Sequence, residues 1–148
     1  MITFVGDFES KTDEKGRIVL PAAFKKALSG EGEVRLVVRK DLFEDCLVIF
    51  PHSEWETELK QIQEKLNPYN REHNVFLREF FKRSAEMVLD GNGRFLVPRR
   101  LMELAGIDRE VVLVGVNNKI EMWDKTRYEA SGIGSDDFAS LAGKLLGN

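Results

Sequence analysis

The chain is poor in the residues that most enzymes and secreted proteins use. Its 148 residues include one cysteine, two histidines and two tryptophans. A lone cysteine closes no internal disulfide, so Cys46, within "DCLVIF", reads as a small buried hydrophobe in a reducing, cytoplasmic setting. No apolar run approaches the ~18 residues that span a bilayer, and no membrane partner is expected. The start, "MITFVGDFESK", lacks the basic segment and apolar stretch of a signal peptide. His52 and His73 stand far apart without HExxH or another metal-ligand spacing, so both read as surface histidines and no metal is expected. P-loop, dinucleotide and GxSxG signatures are missing too. No catalytic residue, cofactor or small-molecule ligand is therefore inferred, and the chain does not read as an enzyme.

An excess of positive charge is also missing. Lys and Arg number 22 against 25 Asp and Glu, a net charge of −3. That excludes a generally basic nucleic-acid binder but not a basic face on an acidic protein. Residues 71–100 hold seven basic side chains against four acidic ones.

Hydrophobic residues make up 43% of the chain, enough to fold. Their arrangement is duplicated. "TDEKGRIVLP" (12–21) and "LDGNGRFLVP" (89–98) lie 77 residues apart, with Asp13 matching Asp90 and Arg17 matching Arg94. "VRLVVRK" (34–40) answers "VVLVGVN" (111–117) at the same offset. "LVIFPHSEW" (47–55) answers "IEMWDKTRY" (120–128) at an offset of 73, which places four extra residues around "DLFED" (41–45). Two copies imply one pseudo-symmetric fold rather than a solenoid.

Each copy predicts a strand, a tight turn at Lys15-Gly16 or Asn92-Gly93, and a short strand at 18–20 or 95–97 expected to be buried on both faces. Pro21 and Pro98 open short helices over 22–28 and 99–105, with Gly30 and Gly106 as stops. Strands near 33–39 and 46–50, and near 110–116 and 119–123, complete the copies. Between them, Ser53 and Glu56 form a capping box for a helix striped with Trp55, Leu59, Ile62 and Leu66. Asn67-Pro68 ends it, and a second helix over 70–83 carries Phe76, Leu77, Phe80 and Phe81, an expected subunit contact. The tail, with four glycines in residues 131–148, reads as a frayed end, against a weak helical face at Phe138, Leu141 and Leu145.

The repeated phrase supports two readings. In the first it is turn chemistry: Asp13 and Asp90 bond downstream N–H groups, Gly16 and Gly93 take the special backbone shape, and each Arg pairs with its Asp. An exposed pair of that kind contributes at most about 1 kcal/mol. In the second, Lys15 and Arg17 sit on a rigid ribbon of a size that fits the DNA major groove, where Arg forks onto phosphate or guanine. The second copy has Asn92 in place of Lys15, and Asn neutralises no phosphate.

Together, the duplicated "DEKGRIVLP" and "DGNGRFLVP", the link "DCLVIFPHSEW" and "FLREFFKRSAEMVLD" resemble the MraZ family of bacterial transcriptional regulators over about residues 3–128. The resemblance implies an α+β, β-rich fold: a double swapped-hairpin AbrB-like β-barrel built from the two repeats, with the helical hairpin inserted. The expected divisions are 1–52, 53–83, 84–130 and a tail, 131–148. The resemblance also implies a ring-shaped homo-oligomer, cytoplasmic and nucleoid-associated, that binds short direct repeats of double-stranded DNA in the promoter of the division and cell-wall gene cluster and represses it. The family's basic hairpin side chains fall on Lys15, Arg17 and Arg94, and Lys11 on the preceding strand joins the expected DNA-binding set. An alternative is a protein-interaction scaffold, an antitoxin-like barrel that holds a partner protein.

Overall fold

The computed structural model describes residues 2–28 and 32–147; the stop expected at Gly30 lies outside them. The two copies stand out at once. In the first, β1 (Phe4–Lys11), β2 (Arg17–Val19), α1 (Ala22–Ala27), β3 (Arg35–Lys40) and β4 (Leu47–Pro51) follow in order, then α2 (His52–Glu64) and α3 (Arg71–Lys82). In the second, β5 (Ser84–Val88), β6 (Arg94–Leu96), α4 (Arg99–Leu104), β7 (Glu110–Asn117) and β8 (Lys119–Asp124) repeat the pattern, followed by α5 (Lys125–Ser131) and α6 (Ser135–Leu146). The α2 and α5 starts correspond, so each copy ends by running from its last strand directly into a helix. The loop 41–46 stands where the second copy has a tight turn at Asn117, whose φ is 65°.

Strand pairing crosses between the copies. One antiparallel sheet has the order β1-β7-β8-β4-β3-β5, and β2 pairs with β6 in a separate two-stranded ribbon. The first strand of each copy thus lies beside the third strand of the other: β1 on β7, β5 on β3. The contact between β4 and β8 joins the halves at the centre. The barrel implied by the resemblance is not closed. β1 and β5 are sheet edges among the described residues, because β2 and β6 bond to each other instead of extending the sheet.

The apolar runs explain the core. β4 is buried along its whole length, as expected for a central strand covered on both faces. Ile18 and Phe95 point from the ribbon into a cluster that includes Phe4, Phe24, Leu36, Ile49, Leu101 and Leu113. Phe24 of α1 meets Phe4 and Phe8 edge-on, with ring centroids 5.5 and 5.1 Å apart, a favoured aromatic geometry. Gly115 of β7 faces Gly6 of β1. A β-carbon on Gly115 would lie 2.5 Å from the Phe4 carbonyl carbon, so only glycine allows this approach. Cys46 is buried, and desolvation pushes its thiol up to about 12.

Three local expectations are corrected. The ribbon strands are not buried on both faces, since Val19 and Leu96 are exposed while Ile18 and Phe95 are covered. A ribbon lying on the core has only one inner face. At α2, the helix begins at His52 after an extended Pro51, and no side chain caps it. Glu56 reaches His52 Nδ1 at 2.8 Å instead of closing a capping box. At α3 the boundary is as expected, with the Asn70 side chain accepting the His73 N–H at 3.2 Å. Finally, residues 135–146 form a helix rather than a frayed end, with Phe138, Leu141 and Leu145 exposed along it. Only Gly143 of the tail's glycines falls inside that helix. At the other stop, Gly106 ends α4 with a φ of 65°, its N–H donating to Glu103 O and the next N–H to Met102 O, the paired bonds of a glycine-terminated helix.

Candidate nucleic-acid interface

Both repeated phrases fold into the same small device. The Asp13 N–H donates to Arg17 O at 2.9 Å and the Gly16 N–H donates to Asp13 O at 3.0 Å. Asp90 N–H to Arg94 O (2.8 Å) and Gly93 N–H to Asp90 O (3.0 Å) repeat this. Each turn is a three-residue loop that ends on a left-handed glycine, φ 81° at Gly16 and 73° at Gly93. The Asn92-Gly93 turn is therefore not the two-residue type its dipeptide suggests, since Asn92 does not have a positive φ.

The aspartates clamp the turns from inside. Asp13 Oδ1 accepts from the N–H groups of Lys15 and Arg17, both at 2.9 Å, while Oδ2 accepts from Arg17 Nε at 2.9 Å. Asp90 does the same for Asn92 (2.8 Å), Arg94 (2.9 Å) and Arg94 Nε (3.2 Å). The Arg17 N–H, helped by the Lys15 N–H and the Arg17 guanidinium, holds the Asp13 carboxyl below its ordinary value of 3.8. The Arg94 N–H does likewise for Asp90. A lowered folded value stabilises the fold above the ordinary carboxylate pKa, and that contribution is lost as pH falls through the lowered value. Asp13→Asn/Asp90→Asn, which keeps the accepting oxygen but removes the charge, should therefore unfold with a flatter dependence on pH below about 4. Denaturant midpoints measured against pH for both proteins check this; parallel acid limbs would contradict it.

The ribbon register decides what faces outward. Arg17 pairs with Leu96, Ile18 with Phe95 and Val19 with Arg94. Strand alternation turns Ile18 and Phe95 inward and leaves Arg17, Val19, Arg94 and Leu96 together on the outer face. The two arginines keep 30% and 25% of their side chains exposed. Arg17 meets Asp13 through Nε, and among the described residues its two terminal nitrogens hold no partner. Arg94 meets Asp90 through Nε, with Nη1 3.7 Å from Asp13. The surface is thus a two-stranded platform with two oriented guanidinium forks and two aliphatic side chains, in two-fold-like order. Lys15 and Asn92 are exposed at the two turns.

Other expected site residues lie elsewhere. Lys11 ends β1 opposite Glu110 and lines a separate polar cleft with Asp108, Arg109, Asp124 and Lys125. Of the expected subunit-contact residues, Phe76 and Phe81 are exposed and Leu77 is half-buried. Phe80 is corrected: it is buried within its own chain, stacked on Phe76 at 5.9 Å and placed 5.6 Å from the Arg39 guanidinium. Sequence reasoning missed Lys25, whose ammonium lies over the second turn, and the pair of the buried Arg39 with the half-buried Glu58. Glu58 was recoverable, because it falls between Trp55 and Ile62 at spacings of three and four on the apolar stripe.

The family model described as "MraZ protein, putative antitoxin-like" matches residues 3–78 and 80–132, nearly the whole chain. This chain belongs to the MraZ family. Among its relatives, a Bacteroides fragilis protein is 43% identical over 129 residues, covering 87% of this chain and 82% of its own. One from Bacteroides thetaiotaomicron is 36% identical over 146 residues, covering 99% and 94%. One from Moorella thermoacetica is 37% identical over 145 residues, covering 97% and 96%. Each carries the name "Transcriptional regulator MraZ". The family match reaches residue 132, and alignment with the two longer matches runs into the tail, beyond the 128 expected from motifs alone. No helix among the described residues is long and apolar enough to cross a membrane.

Proposed function

We propose that this chain is a transcriptional regulator that reads duplex DNA with the outer face of the β2–β6 ribbon. The observation that carries this reading is the outward pair Arg17 and Arg94, each held through Nε by an aspartate, which among the described residues leaves both terminal nitrogens of Arg17 and Nη2 of Arg94 without a partner. Two forks on a two-stranded ribbon match the donor geometry needed for phosphate oxygens or for guanine O6 and N7. Val19 and Leu96 beside them offer apolar contact to thymine methyl groups. The names of the relatives support the regulatory role.

A single ribbon makes few contacts, so one protomer binds weakly. A ring of identical protomers on short direct repeats would engage several ribbons at once, and effective concentration then raises affinity by roughly 10²–10⁴. Exposed Phe76, Phe81, Leu42 and Phe43 supply apolar surface for the subunit contact. The exchange of β1 and β5 between copies supports a swapped-hairpin, AbrB-like relationship, with the ribbon set across an open sheet. Repression of the chain's own division and cell-wall cluster is the expected output, in the cytoplasm at the nucleoid.

Mobility shifts with DNA from upstream of its own gene, carrying one to four copies of the repeat, test this. Affinity should climb steeply with each added copy. Equal affinity for one copy and for four would end the multivalent mechanism. A second reading draws on the exposed α6 face of Phe138, Leu141 and Leu145 and on the family's antitoxin-like description. Here the chain holds a protein partner, and recovery of a stoichiometric protein without DNA retention would favour it.

A further inference from the structure

The two turns differ in one residue that matters for an anion: Lys15 in the first corresponds to Asn92 in the second. The short helices differ in the opposite sense. At the same offset of 77, Lys25 of α1 corresponds to Met102 of α4. Met102 lies with the first turn, where it lines a cleft together with Asp13, Lys15 and Gly16. Lys25 lies with the second turn. A β-carbon on Gly93 would sit 3.4 Å from Lys25 Nζ and 3.7 Å from its Cδ. Gly93 is accordingly buried, while its counterpart Gly16 is half-exposed.

From this placement we infer that Lys25 supplies the second turn with the phosphate-binding cation that its own loop lacks, so that the ribbon carries one lysine ammonium at each end. The first ammonium comes from within the turn and the second reaches across from the other copy's helix. Lys25 is exposed, and among the described residues its side chain makes no hydrogen bond or ion pair. Its ammonium and the end of its methylene stem lie over the turn at Gly93, with Nζ the nearest atom, so the charge sits at the turn itself. With Lys25 added to the two turns and ribbon strands (residues 13–19 and 90–96), four cations (Lys15, Arg17, Lys25, Arg94) stand against three carboxylates (Asp13, Glu14, Asp90). Without it, the numbers balance. The ligand class is the phosphodiester backbone, contacted at both ends of the ribbon and not at the first alone.

This inference rests on the DNA-binding reading, and one salt titration separates the two. Log affinity for the upstream duplex is measured against log salt for the full chain, Lys15→Met, Lys25→Met, Lys26→Met and Lys25→Met/Asn92→Lys. Each phosphate contact contributes roughly 0.9 to the slope. Lys25→Met should lower the slope as much as Lys15→Met does, Lys26→Met should leave it unchanged, and Asn92→Lys should restore it by returning the charge to the turn. A loss with Lys15→Met but none with Lys25→Met overturns the inference and leaves the DNA-binding reading standing. Failure of Asn92→Lys to restore the slope also overturns it. Absence of duplex binding by the unaltered chain overturns both. Thermal midpoint and assembly mass, which an exposed lysine does not set, should be constant across the series.

Discussion

Glu58→Ala should lower the free energy of unfolding by about 3 kcal/mol or more. The reason lies at the base of the helical hairpin. Arg39 of β3 is almost completely buried, with Nη2 2.5 Å from Glu58 Oε1 of α2. Its guanidinium carbon lies 5.2 Å from the Phe50 ring centre and 5.6 Å from that of Phe80. Removing the carboxylate leaves the guanidinium charge unpaired between two aromatic rings, with Lys40 O, 3.4 Å from Nη1, as its remaining acceptor among the described residues. Glu58 itself keeps 26% of its side chain exposed, so solvent can reach the vacated space and holds the loss toward the lower end of the range that broken buried pairs show. Removing both partners should behave differently. Arg39→Met/Glu58→Leu takes away the desolvated charges together, along with the orphaned Arg39 Nε and Glu58 Oε2, and should come out near neutral or more stable than the parent. Urea midpoints for the single and double variants check this. A Glu58→Ala midpoint indistinguishable from the parent would show that the pair does not hold the hairpin down.

That ion pair marks where sequence legibility ended. The duplicated strands and short helices were readable because their apolar runs, prolines and glycines repeat at fixed offsets, and local chemistry dictates each element. Which strands pair was not readable. β1 could have turned back on β2, since the Asp13–Arg17 loop is a valid hairpin end, and only the packing of the whole chain sends β1 to β7 and β2 to β6. The same gap explains Val19 and Leu96. An unbroken apolar triplet implies burial on both faces unless the strand belongs to a ribbon with one side free. Arg39 was hidden for a related reason: in "VRLVVRK" it looks like a polar strand end, and its burial depends on α2 folding over it. At the candidate interface, Arg17, Arg94 and their aspartates were legible as a repeated phrase. Lys25 was not, because the closeness of α1 to the second turn is a product of tertiary structure alone.

At the ribbon, Arg17→Ala should weaken binding to repeat DNA by about 1–3 kcal/mol for each engaged protomer, and in an assembly the losses compound across protomers. The geometry sets this expectation. Asp13 takes Nε of Arg17 and leaves both terminal nitrogens on the outer face, so the carboxylate works as a splint that aims the fork. A fork already held in place loses little side-chain freedom on contact, which makes the contact stronger than that of a free surface arginine. Arg17→Lys should recover little, because an ammonium cannot make two parallel bonds or be aimed through Nε. Arg94→Ala should follow the same pattern with a smaller loss, since its Nη1 also faces Asp13 at 3.7 Å and part of its charge is already answered within the chain. Mobility shifts beside a measurement of assembly mass separate loss of contact from a change in assembly. Unchanged affinity in Arg17→Ala with the assembly intact would remove this face from the DNA. If instead Arg17→Ala and Arg94→Ala each weaken binding and their combination weakens it further, both copies of the phrase touch the duplex. The duplication would then serve recognition as well as folding, because one turn type, written twice, places two arginines in antiparallel register on a single platform.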